Sequence, residues 1–221
     1  TGAPRLKPAS DYRVFFIPGN PQLQAYEALR AQYTSDDNIL LVIEPPGGDV
    51  FTPQYLAAVD EATENAWKLP YVIRVDSVSN FQYSHADGDD LVVEDLYDDG
   101  DGIRDSGAVR AIALQEPQLL DKLVSSRGDI TGVNLSILLP GEDPMNETPA
   151  VVNGARALAE QLRTRYPGMN TYLAGTVMLN NAFAEASMVD MTTLIPGFFA
   201  LVIISLVVWL RSFAAVFTTL A

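Results

Sequence analysis

The feature that most constrains this chain is the run Leu194 to Leu210 (LIPGFFALVIISLVVWL), seventeen residues without one ionisable side chain. Twelve of them are Leu, Ile, Val or Phe, and at about −0.3 to −0.6 kcal/mol each they contribute at most roughly −4 to −7 kcal/mol toward insertion in a bilayer. Pro196, Gly197 and Ser205 take back part of that. At 1.5 Å per residue the run covers about 26 Å, and uncharged Met191, Thr192 and Thr193 extend it toward the roughly 30 Å of a hydrocarbon core. The reading is a transmembrane helix over residues 191–211, with a buried core helix as the alternative.

What surrounds the run sets its direction. One helix from 191 to 221 would place Arg211 in hydrocarbon at a cost of about 2.5–3.5 kcal/mol. Arg211-Ser212 is therefore expected in a surface turn, with residues 212–221 opening a second, truncated transmembrane helix. No apolar stretch follows Arg5 and Lys7, so no signal peptide is expected there, and another span is expected upstream. Cytoplasmic loops favour Lys and Arg, so Arg211 marks the inner side and residues 1–190 fall on the outer side.

Asp and Glu number 28 against 14 Lys and Arg, a net charge of −14, nearly all of it before Asp190. Such a surface repels phosphate backbones and anionic membrane surfaces, which excludes nucleic acid as a partner. Cys is absent, so neither disulfides nor thiol chemistry operate, in keeping with a bacterial periplasm.

Before the span the chain alternates extended and helical segments. Asp11 to Ile17 reads as extended. Asn20-Pro21 supplies an N-cap and a first-turn proline for a helix carrying Leu23, Tyr26, Leu29 and Tyr33. Asn38 to Glu44 (NILLVIE) reads as a buried strand closed by Pro45-Pro46-Gly47-Gly48. Thr52-Pro53 starts a helix with Leu56, Val59, Thr63, Ala66 and Trp67 on one face, and Tyr71 to Val78 reads as a second strand. Residues 85–105 form an acidic insertion with nine acids against one Arg. Pro117 is expected to open a short helix with Leu119, Leu120, Leu123 and Val124. Thr131 to Leu139 is a third strand, Thr148-Pro149 starts a periodic helix ending at Pro167-Gly168, and Asn170 to Gly175 is a fourth strand.

Strand, turn, Thr-Pro, helix, strand thus occurs at 38–78 and again at 131–175. Two such βαβ units facing each other predict an α+β fold, a ferredoxin-like split βαβ domain with an acidic insertion, followed by a transmembrane helix. The next helix, through Leu179, Ala182, Phe183, Ala186 and Val189, runs into the span without a loop signal. A domain joined this way can pass motion to the membrane, which a Gly/Ser linker would not do.

No catalytic residue, cofactor or metal site is expected. The only His, His85, lies in the acidic insertion without a nucleophile motif, and one His with no Cys cannot make a zinc site. Asp98-Asp99-Gly100-Asp101-Gly102 resembles a hard-cation loop, but Ile103 stands where a further ligand should follow, so a solvated acidic loop is preferred. Phe81, Tyr83 and Tyr97 could line an apolar path, with core packing as the simpler reading.

Four stretches together resemble the resistance-nodulation-division (RND) exporters: DYRVFFIPGNPQLQAYEAL, NILLVIEPPGGDVFTPQYL, WKLPYVIRVDSVSN and LAGTVMLNNAFAEASMVDMTTLIPGFFALVIISLVVWLRSF. The similarity is greatest to the branch of the mycobacterial large membrane proteins (MMPL) and hopanoid exporters. It is most specific at Gly175, Asp190, Pro196 and Arg211-Ser212. The resemblance implies a first periplasmic porter domain at 1–176, a helix rising to the membrane at 177–190 and the second transmembrane helix at 191–211, in a bacterial inner-membrane exporter driven by protons. Implied partners are a hydrophobic or lipidic substrate, membrane lipids, and the remaining transmembrane helices and second porter domain of a full-length protein. A homo-oligomer is allowed. The alternative is a membrane-anchored periplasmic binding or scaffold module.

Overall fold

Alternation along β1 (Asn38–Glu44) sets the architecture: Ile39, Leu41 and Ile43 are fully buried, while Leu40 and Val42 on the other face are only half-buried. A computed structural model of the chain describes residues 16–17, 19–32, 37–98 and 105–210. Around β1 the described elements are α1 (Pro21–Gln32), α2 (Pro53–Ala66), β2 (Val72–Asp76), β3 (Gln82–Asp87), β4 (Asp90–Asp95), α3 (Ser106–Ala113), β5 (Thr131–Ile137), α4 (Pro144–Arg165), β6 (Asn170–Ala174) and α5 (Thr176–Leu210). The described residues up to Leu179 belong to one compact unit and residues 180–210 to another.

In the first unit four strands form a sheet in the order β2-β5-β1-β6, every neighbouring pair antiparallel. Each βαβ unit, β1-α2-β2 and β5-α4-β6, supplies one central and one edge strand, which is the split βαβ, ferredoxin-like order. Helix α2 packs on β2 and β5, and α4 on β1 and β6. Val59, Ala62, Val152, Ala155 and Leu162 of the helices meet Ile39, Leu41, Val133 and Leu135 of the sheet in the main core. Glu61 joins the two helices by accepting from Arg165 at 3.1 Å and from the Tyr166 hydroxyl at 3.0 Å.

The caps follow local chemistry. Asn20 Oδ1 accepts from the amides of Gln22 and Leu23 at 2.9 and 3.1 Å, and Thr52 caps α2 ahead of Pro53. Helix α4, however, begins at Pro144 rather than at Thr148-Pro149, and Pro149 lies inside it. The cause is Glu147, a buried carboxylate that accepts from the amides of Gly141, Glu142 and Asp143 at 2.8–3.0 Å and so organises a turn ahead of the Thr-Pro step. Trp67 is 49% exposed, because it is the residue that ends α2 rather than part of its buried stripe.

The described part of the acidic insertion is structured. It supplies the end of β3 and all of β4 in the hairpin β3-β4, and Asp105 caps α3, whose Val109 and Ala113 are buried. The segment after Pro117 is not a helix. It is a chain of turns closed by short bridges, Leu120 with Val124 and Val124 with Thr131. These pieces bury a second core, in which Val50, Phe51, Leu56, Val78, Leu96, Tyr97, Val109, Leu119 and Val124 pack together. The extended reading of residues 11–15, the helical reading of Tyr33, the cation-loop reading of 99–102, and the readings of Arg211-Ser212 and 212–221 lie outside the described residues.

Helix α5 has 35 residues, about 52 Å at 1.5 Å per residue, where a bilayer core asks for about 20. It is long and apolar enough to cross a membrane. The hydroxyls of Thr192 and Thr193 donate to the Met188 and Val189 carbonyls at 3.0 and 2.6 Å. Hydroxyls satisfied on their own helix lower the cost of lying in hydrocarbon. Pro196, inside the helix, has no N–H for the carbonyl one turn back.

Candidate functional site

The sheet face turned away from α2 and α4 is where a site is built. Register fixes which residues share it. Arg74 stands beside Ser136, and Asp76 beside Asn134. Asn134 then neighbours Leu40, and Leu40 neighbours Ala174. One step along, Gly132, Val42 and Tyr172 form the next row. The face therefore grades from charged and amide groups on β2 and β5 to apolar groups on β1 and β6.

The turns at 117–131 overhang this face. Gly132 donates its amide to the Leu123 carbonyl at 2.8 Å, and the Thr131 hydroxyl donates to the same oxygen at 2.9 Å. Asp121 adopts a left-handed φ of 58°, and its amide donates to the Val124 carbonyl at 2.7 Å. Asx side chains tolerate that conformation better than most. Gly132 also lets Leu40 lie over the strand, since a Cβ there would come within 2.9 Å of Leu40 Cδ1.

Two neighbouring clefts result. The larger, about 580 Å³, is lined by Asn38, Leu40, Arg74, Asp76, Asn134 and Lys122 among others. The smaller, about 260 Å³, is lined by Leu40, Val42, Leu123, Val124 and Ile130, with Asp121 and Lys122. The two share Leu40, Lys122 and Leu123. The larger falls within the range of about 300–1,000 Å³ usual for small-ligand sites.

Charge within the clefts is mostly cancelled. Arg74 contacts Asp76 at 2.7 Å, and that carboxylate raises the guanidinium further above its ordinary value. On β6, Tyr172 donates to Glu44 at 3.0 Å, and that hydrogen bond to an anion holds the phenol above its usual range. Asn38 links the floor to the next element. Its Nδ2 donates to Asn134 Oδ1 at 2.8 Å, and its own amide donates to the Thr176 hydroxyl at 3.0 Å, at the first residue of α5.

The aromatic residues considered for an apolar path divide. Tyr97 is buried in the second core, and Phe81 and Tyr83 pack against it. Phe81 also lines the larger cleft. His85 stacks on Tyr83 with ring centroids 5.5 Å apart and stands 3.8 Å from Glu94, on the hairpin. Among the described residues no three His, Asp or Glu side chains gather as a metal site. Leu40, Val42, Asn134 and Lys122 carried no motif in the sequence. The available signal was that NILLVIE is apolar on both faces, which leaves Leu40 and Val42 facing something other than the helices.

The sequence pattern of the MMPL family matches residues 15–221. No curated protein matches the chain.

Proposed function

This chain belongs to the MMPL family, whose members are membrane transporters, and from that premise we propose that its sheet-bearing unit forms part of the outward path of a hydrophobic or lipidic substrate in a proton-driven exporter of the RND type. The observation that carries the reading is the sheet face that α2 and α4 leave uncovered. A cleft that turns from Arg74, Asp76 and Asn134 to Leu40, Val42 and Leu123 suits a molecule with one polar and one apolar end.

In this reading the protein lies in the bacterial inner membrane with residues 1–190 on the periplasmic side. The sheet-bearing unit is the first porter domain at 1–176, residues 177–190 rise to the membrane, and 191–211 form the second span. The remaining helices and a second porter domain complete the path. The role of this chain is passage and mechanical coupling. Asn38 supports the coupling, because it bonds both the cleft floor and the first residue of α5. Between Met191 and Leu210 there is no ionisable residue, so the proton relay belongs to other helices.

The test is lipid export by a strain lacking the gene, complemented with the wild type or with Leu40→Glu, with and without a protonophore. Export that depends on the gene, falls with the protonophore and is lost in Leu40→Glu supports the reading. Export indifferent to deletion or to the proton gradient overturns it.

A further inference from the structure

In a chain of net charge −14, Arg74, Asp76 and Lys122 are the ionisable groups that line the larger cleft among the described residues. Arg74 is neutralised by Asp76 at 2.7 Å, which leaves Lys122 to give the cleft a charge of +1. The other cationic side chains described are each engaged by a neighbouring group. Lys122 has no such partner among the described residues. It lines both clefts, at the point where the polar lining of one gives way to the apolar lining of the other. Asp121 lines the smaller cleft and not the larger, so the surplus positive charge, and with it the preference for an anion, falls to the larger cleft.

We infer that these paired clefts hold an amphiphile bearing a single negative charge, its carboxylate or phosphate bound by Lys122 in the larger cleft and its chain lying along Leu40, Val42 and Leu123. The inference rests on the reading of this face as part of the substrate path. The acidic surface as a whole repels anions, so the site selects a head group carried in on an apolar tail. Free anions gain nothing from Leu40, Val42 or Leu123. Neutral amphiphiles gain the apolar contacts but leave the lysine unpaired. An ammonium group makes a point-charge contact that suits either anion, without the planar fork that would favour one of them.

The experiment uses the full-length protein in phosphatidylcholine nanodiscs, photolabelled with a diazirine-bearing fatty acid or with the matching fatty alcohol, and the labelled residues are mapped by mass spectrometry. The acid is expected to label residues 40–42 and 121–132, and the alcohol to label them more weakly. Lys122→Gln is expected to lower labelling by the acid about tenfold, as befits the loss of a charged hydrogen bond, while leaving labelling by the alcohol unchanged. Lys122→Arg is expected to keep most of it. Lys122 is exposed, so the folded state tolerates both changes. Equal labelling by acid and alcohol, unaffected by Lys122→Gln, overturns the head-group assignment and leaves the substrate-path reading intact. No labelling of these residues by either probe overturns that reading as well. Inorganic phosphate that competes away the acid's labelling makes this a free-anion site and overturns the amphiphile.

Discussion

Gly175 is the residue on which the passage from sheet to helix depends. Its φ of 108° lies where L side chains are strained, and an added Cβ would stand 2.4 Å from the Asn38 carbonyl oxygen. Backbone cannot withdraw as a flexible side chain can. Gly175→Ala is therefore expected to cost about 2–4 kcal/mol, read by denaturant unfolding of the reconstituted protein, and to displace the Asn38–Thr176 hydrogen bonds. Asp129, in the overhang, gives a pH-dependent counterpart. The Ser125 hydroxyl, and then Arg127, hold its carboxyl below the ordinary 3.8. A depressed folded value means that the contribution is complete above 3.8 and is lost as pH falls through the folded value. Ser125→Ala is expected to raise the Asp129 midpoint in a carboxyl NMR titration, and an unchanged midpoint would remove Ser125 as its cause. Gly175 was visible in the sequence as a glycine between strand and helix. That it is pressed against Asn38, 137 residues earlier, comes only from the pairing of β1 with β6.

At the scale of elements, legibility followed the strength of local punctuation. β1, α2, β2, β5 and β6 were readable because apolar runs sit between Pro/Gly turns and Thr-Pro caps. The start of α4 was misplaced because Glu147 gathers three amides that no propensity anticipates. The hairpin β3-β4 was hidden by its acids, and Leu91 and Val93 are 73% and 53% exposed, so no apolar face announced it. Helix α3 left a fainter signal: Asp105 as cap, then Val109, Ile112 and Ala113 at helical spacing. The turns after Pro117 have helical apolar spacing but bury Leu119 and Val124 in the second core, where bridges to Thr131 prevail over helix formation. In hydrogen exchange the amides of the central strands β1 and β5 should exchange most slowly, and those of β2 and β6 faster, because each edge strand is paired on one side. Faster exchange in β1 than in β6 would contradict the strand order.

For the whole molecule, the same face that was unreadable in the sequence carries the functional account. Asn38, Leu40, Val42, Gly132 and Asn134 become one surface only through antiparallel register, and the overhang at 117–131 turns that surface into clefts. The long apolar helix α5 was the opposite case, since a long apolar run needs no partner to be recognised. Absence of Cys from the chain makes the direct test clean. Leu40→Cys, in the full-length protein with any other cysteines replaced, is exposed in spheroplasts to a bulky membrane-impermeant maleimide. Glu64→Cys, on an exposed position of α2, serves as the control. The account predicts labelling of both positions from outside, with lipid export lost on labelling position 40 and retained on labelling position 64. Labelling of position 40 with export unchanged would contradict the placement of this face in the substrate path.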